Sequence, residues 1–293
     1  MERFLQYALA GLSAGSLYAL VALGLVLIYR STRVLNFAHA DMATVGTFIA
    51  FSVITSGLPF WMAFTMALVA GAVIAVLFYF GALVPAQRKG ANHLGQVILT
   101  LGLSLILQGL TVYRWGAEPE RFPFPLSDTK VWKVGPIFVS ELALGTLAAA
   151  AAASLVLFLL IQKTRLGLAM RATSENLQAA QTLGIPTRGV LAFAWGVAAA
   201  LAVVAGVFLA PSSFLDPFFM LDAMFKGLAA AVLGGLNSLP GAVLGGLILG
   251  VAESLGGAYV SLEFKTSLAF ILIVVVLLAR PEGLLGKEFQ ERV

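Results

Sequence analysis

Apolar runs of about twenty residues recur along this chain from its first residues almost to its last, and no other feature constrains its fold so tightly. A soluble protein has one core to fill and a polar surface to keep wet, so a series of such runs has no place in it. In lipid each run does have a place. An α-helix crossing a hydrocarbon core of about 30 Å needs about 20 apolar residues, and its backbone hydrogen bonds are all internal. Composition agrees, at 60% hydrophobic and 11% charged residues. The expected fold is all-α, a polytopic transmembrane helical bundle.

Runs bounded by charge, proline or glycine lie near 5–29, 35–55, 58–83, 95–113, 136–162, 189–210, 222–238, 239–259 and 266–279, which predicts about 8 to 10 membrane segments. The second and seventh are short or interrupted, as broken or re-entrant helices are. Run 5–29 is longer than a signal-peptide core and lacks a small-residue cleavage site, so it reads as the first span. Basic residues set the orientation. With the N-terminus outside and the C-terminus cytoplasmic, the inner side holds Arg30, Arg33, Arg88, Lys89, Lys163, Arg165, Arg171, Arg188, Arg280, Lys287 and Arg292. The outer side keeps Arg3, Arg114, Arg121, Lys130, Lys133 and Lys265, with Glu118, Glu120 and Asp128 diluting the charge of one loop. No low-complexity linker divides the chain, so 1–293 reads as one transmembrane domain.

Several chemistries are excluded by what the chain lacks. It has no cysteine, hence no disulfide, thiolate metal site or cysteine nucleophile. Its net charge of +4 would suggest nucleic acid in a soluble chain, but the basic residues sit at the ends of apolar runs, where they anchor to headgroups. No GxxxxGK[ST] phosphate loop is present, so the chain is not its own ATPase. Neither HExxH nor GxSxG occurs, and His39 and His93 are too far apart for a short metal motif. The sequence thus predicts no catalytic residue, no metal and no cofactor bound by this chain.

Between the fifth and sixth runs, residues 163–188 read KTRLGLAMRATSENLQAAQTLGIPTR, too polar to span and too orderly for a linker. Thr173 or Ser174 can cap a helix, Glu175 suits the positive end of its dipole, and Gly184 with Pro186 stops it. Leu177, Ala180 and Gly184 then share one face, with Glu175, Gln178 and Thr182 on the other. That is a short cytoplasmic helix with one surface free to dock, or one resting on headgroups through Arg165 and Arg171.

Ionisable groups inside apolar runs are costly and face protein or a water-filled cavity, which singles out His39, Asp41, Asp222, Lys226 and Glu253. Asp222 and Lys226, four apart, share a helix face and can neutralise each other. Glu253 can bond a neighbouring helix. In 225–250, FKGLAAAVLGGLNSLPGAVLGGLILG, the glycines let helices approach closely, and a break at Pro240 would free backbone groups toward a path.

Three blocks together resemble the permeases of branched-chain amino-acid (LivH-type) ABC importers across nearly the whole chain. Residues 11–41, GLSAGSLYALVALGLVLIYRSTRVLNFAHAD, look like the family's opening signature, with Asn36-Phe37-Ala38-His39 starting the second segment and Ala40-Asp41 standing where glycine and glutamate are common. Block 225–250 resembles its glycine-rich region. Arg165, Gly167, Met170-Arg171-Ala172, Gln178-Ala179-Ala180 and Gly184-Ile185 resemble its coupling segment, with Gln178 where glutamate is usual. The resemblance implies that 163–188 docks on an ATP-binding subunit, with Arg165, Arg171, Glu175, Leu177, Gln178, Ala179, Ala180, Gly184 and Ile185 as coupling residues. It implies a second, LivM-like permease as heterodimer partner, with a homodimer as the other arrangement. It also implies two ATP-binding subunits that hold ATP and Mg, an extracytoplasmic solute-binding protein, and a bacterial or archaeal cytoplasmic membrane. Asn36, His39, Asp41, Asp222, Lys226 and Glu253 are the candidates for the translocation path. The substrate would be a branched-chain amino acid or a related small solute such as urea, an amide or an aromatic acid. An ion-coupled secondary transporter would instead have to use Asp222, Lys226 and Glu253 for its ion, and a structural or channel subunit would leave the capped segment unexplained.

Overall fold

The structure, a computed structural model, describes residues 2–135, 137–261, 267, 271, 273–276, 278 and 280–286. Its helices start and stop where the local chemistry dictates. The first, α1 (Glu2–Thr32), is followed by α2 (His39–Thr55) and by α3 (Phe60–Phe78), which runs through a π-helical turn (Tyr79–Leu83) into α4 (Val84–Arg88). Asn92 opens α5 (His93–Trp115) by accepting the Gly95 N–H at 2.8 Å, and Gly116, at φ +85°, ends it. A hairpin of β1 (Val131–Val134) and β2 (Ile137–Ser140) precedes α6 (Glu141–Lys163). The β-branched and aromatic residues at the start of run 136–162 are therefore spent on a strand, and the helix begins at Glu141.

Two short helices, α7 (Arg165–Glu175) and α8 (Leu177–Thr182), lead to α9 (Thr187–Leu209), and α10 (Leu221–Gly234) and α11 (Leu239–Tyr259) follow. Six helices among the described residues are long and apolar enough to cross a membrane: α1, the stretch Phe60–Arg88, α5, α6, α9 with its 3-10 extension to Ser212, and α11. Helices α2 and α10, the two short runs, have 17 and 14 residues, roughly 25 and 21 Å at about 1.5 Å per residue. In the ninth run, the described positions 267, 271, 273–276 and 278 are helical. Lys265, Lys287 and Arg292 lie outside the described residues.

The break expected around Pro240, between runs 222–238 and 239–259, separates α10 from α11. Gly235, at φ +105°, turns the chain, Ser238 caps α11 by accepting the Gly241 N–H at 3.1 Å, and Pro240 sits in the first turn. There its missing N–H has no helical partner to lose, so proline starts this helix.

Residue contacts gather in two compact units, Met1–Val26 with Leu126–Ala151 and Ala223–Val293, and Leu27–Pro125 with Ala152–Asp222. In the first, α1 and α11 meet through small residues. A Cβ on Gly15 would stand 2.6 Å from the Gly246 carbonyl oxygen, so a larger side chain there would force the two backbones apart. In the second, α2, α3 and α9 close around Val203, with Phe48 and Leu215 buried beside it.

Candidate functional site

The second unit carries the polar segment 163–188. Thr164 caps α7 by accepting the Gly167 N–H at 3.0 Å, and Asn176 ends α7 and caps α8 by accepting the Ala179 N–H at 2.9 Å. The cap expected at Thr173 or Ser174 is thus at Asn176, and the single expected helix is two. Asparagine tolerates the extended backbone of a cap, at φ −149°, and offers a side-chain oxygen to the next turn. Gly184 stops α8 at φ +80°, and the Ile185 N–H returns to the Ala180 carbonyl at 3.0 Å. The Gln181 side chain then donates to the Thr187 hydroxyl at 3.2 Å, tying α8 to the first residue of α9.

The break changes which face is free. Ala180 is buried at 2% exposure, whereas Leu177, Gln178, Ala179, Arg165, Arg171, Glu175 and Gly184 are exposed, and Ile185 is half-buried. Leu183, absent from the expected set, is the most exposed large apolar residue of the segment at 79%. A leucine between a polar helix and its glycine stop carries a legible signal, because nothing in so short an element can bury it. Asn176→Ala should lower stability by about 1 kcal/mol through loss of the cap, measured as the thermal unfolding midpoint together with faster proteolysis at 176.

The same unit holds the Asn36 to Asp41 cluster. Asn36 Oδ1 accepts the Ala38 N–H at 3.1 Å, and His39 is fully buried at the start of α2. Asp41, in the first turn of α2, suits the positive end of that helix. Its two carboxylate oxygens accept from the Ser104 hydroxyl at 2.5 Å and the Gln108 amide at 3.0 Å. One turn earlier on α5, the Thr100 hydroxyl accepts the Phe37 N–H at 3.2 Å, and its own proton is shared between the Val97 carbonyl at 2.8 Å and the Leu35 carbonyl at 3.2 Å. With Gln96, the residues Thr100, Ser104 and Gln108, spaced by four, form a polar stripe along α5. The expected set missed them, although the spacing alone marks the stripe.

In the first unit Lys226 and Glu253 form an ion pair at 2.6 Å between α10 and α11, with side chains 8% and 2% exposed. The Tyr18 hydroxyl lies 3.4 Å from the same ammonium, whose charge also stands 5.4 Å from the Tyr18 ring centre. Glu253 thus reaches Lys226 from another helix, while Asp222, four residues before Lys226, is exposed in the first turn of α10. Among the described residues no three His, Cys, Asp or Glu side chains gather as a metal site.

Residues 7–278 match the family described as "Branched-chain amino acid transport system / permease component". The chain belongs to this family. The permease is 34% identical to the high-affinity branched-chain amino acid transport system permease protein LivH of Escherichia coli strain K12, covering 99% of this chain and 98% of that one. It is 33% identical to the corresponding BraD protein of Pseudomonas aeruginosa, with the same coverage. A chain of PsaBC from Streptococcus pneumoniae, solved in complex with Fab, shares its fold at a TM-score of 0.53 and 17% identity, covering 95% of this chain and 92% of that one. The permease is accordingly a multi-pass inner-membrane component of an ABC importer, and ATP hydrolysis falls to partner subunits.

Proposed function

We propose that the permease forms half of the membrane path of an importer for branched-chain amino acids or related small amphipathic solutes. A second, LivM-like permease supplies the other half, two ATP-binding subunits hold ATP and Mg, and an extracytoplasmic binding protein delivers the solute. The N-terminus lies outside and the C-terminus in the cytoplasm. Residues 163–188 are the coupling segment, and the observation that carries this reading is Leu177 and Leu183 exposed at the two ends of α8, in a capped polar segment between two spans. Arg165, Arg171, Glu175, Gln178 and Ala179 are exposed along the same segment, while Ala180, Gly184 and Ile185 hold the end of α8 in shape. Closing of the ATPases pushes this segment, and α9, tied to it through Thr187, carries the movement into the membrane. Asn36, His39, Asp41, Asp222, Lys226 and Glu253 supply the polar groups of the path.

The test is purification from the native membrane followed by reconstitution in vesicles. A second permease and a phosphate-loop ATPase should co-purify in fixed ratio, and radiolabelled leucine should enter only with ATP and the binding protein. A permease that emerges alone and moves leucine without ATP would overturn the assignment.

A further inference from the structure

The hairpin β1–β2 is fastened to the ends of two membrane helices. Gln6, in the second turn of α1, donates from Nε2 to the Phe138 carbonyl at 2.6 Å and accepts the Phe138 N–H on Oε1 at 2.9 Å. Its amide therefore occupies the outer edge of β2 as a neighbouring strand would, and closes that edge to a peptide added from outside. At its other end the hairpin passes straight into α6. The Glu141 N–H donates to the Lys130 carbonyl at 2.9 Å, and the Glu141 carboxylate accepts the Ser127 N–H at 3.2 Å.

Exposed aromatic rings collect at this level. Trp132 is 62% exposed and Phe138 51%, on opposite faces of the hairpin, since Trp132 pairs with Val139 and Phe138 with Lys133. Tyr7 of α1 packs edge to face on Tyr259 at the end of α11, with ring centres 6.2 Å apart, and the Ser254 hydroxyl donates to the Tyr7 carbonyl at 2.7 Å. Tyrosine and tryptophan favour the membrane–water boundary, where the ring is dry and its polar atom wet. The Lys133 ammonium stands 6.0 Å from the Phe138 ring centre, on the same face of the hairpin. Arg3, Lys130 and Lys133 are matched by Glu2, Asp128 and Glu141, so the region has no net charge to select anionic lipid. Among the described residues no strand lies beside the outer edge of β1, so its polar groups need water or phosphate, which the hydrocarbon core does not contain.

We propose that the hairpin is a foot embedded in the headgroup layer of zwitterionic phospholipid, with Trp132 and Phe138 at the acyl boundary, holding α1 and α6 at a fixed depth. Continuity with the ends of α1 and α6, both long and apolar enough to cross a membrane, and the balanced charge argue for lipid over a soluble protein as its occupant.

Because the chain has no cysteine, Trp132→Cys gives it a single labelling site, and labelling the purified permease before the other subunits are added keeps theirs out of the signal. The variant carries a nitroxide in the assembled importer, reconstituted in phosphatidylcholine nanodiscs, and its depth is read by power saturation against oxygen and a water-soluble nickel chelate. Ala117→Cys, in an exposed loop, is the aqueous reference. The label at 132 should be more accessible to oxygen than to nickel, and replacing part of the lipid with phosphatidylglycerol should not change this. Nickel accessibility equal to that at 117 overturns the proposal. So does protection that appears only when the binding protein is added, which would assign the surface to that protein. Val131→Cys, also exposed, serves if the first variant fails to insert. The measurement reads depth without transport, so it can fail while the importer assignment stands.

Discussion

Replacing Lys226 with methionine is expected to cost the folded permease about 3–5 kcal/mol, because Glu253 is left as a buried charge without its ammonium. Glu253→Gln should cost a similar amount by stranding Lys226. The double variant Lys226→Met with Glu253→Leu removes both charges and fills the volume with apolar atoms, so it should recover most of the loss. Thermal unfolding of the solubilised protein reads these differences, and single variants no less stable than the double would sink the pairing as a source of stability. Uptake by the double variant then separates two roles. A folded double variant that imports at the normal rate makes the pair a rivet between α10 and α11, whereas a folded but inert one assigns Lys226 and Glu253 to the path.

The second large effect is expected at the tip of the coupling segment. Leu183 is 79% exposed and Leu177 44%, so aspartate at either position removes little packing within the chain. If this surface seats in a groove on the ATPase, each loses an anchor worth about 2 kcal/mol, and ATP-driven uptake should fall roughly thirtyfold. The protein should still insert and unfold at its usual temperature, and the ATPase should co-purify in lower amount. Normal uptake and normal co-purification of Leu183→Asp would remove the segment from the coupling interface. Ala180→Asp is a poorer test, since Ala180 is buried at 2% and a charge there disturbs the segment itself.

The two predictions rest on features of different legibility. The polar segment was visible as a segment, because a run of caps and charge between two apolar spans has few structural uses. Its inner geometry was not, since Thr173, Ser174 and Asn176 are all competent caps and the choice among them depends on how α7 packs on α9. Pro240 was visible as a discontinuity at the start of run 239–259, but the turn that makes the discontinuity was not. A proline is equally at home after a break as within one, and only the φ of Gly235 and the Ser238 cap fix where the turn lies.

By itself the sequence determined that this protein lives in lipid, where its long helices run, that it lacks an ATPase of its own, and to which family it belongs. Each of these follows from length, apolar content or an ordered motif, all of which are properties of neighbouring residues. The tertiary structure decided that Asp41 is held by Ser104 and Gln108, 63 and 67 positions away, and that Lys226 is neutralised by Glu253, 27 positions on. In a membrane helix nearly every face is apolar, so periodicity says little about which side meets lipid and which meets protein. The partner of a buried charge is chosen by helix contact, and that is information no local pattern contains.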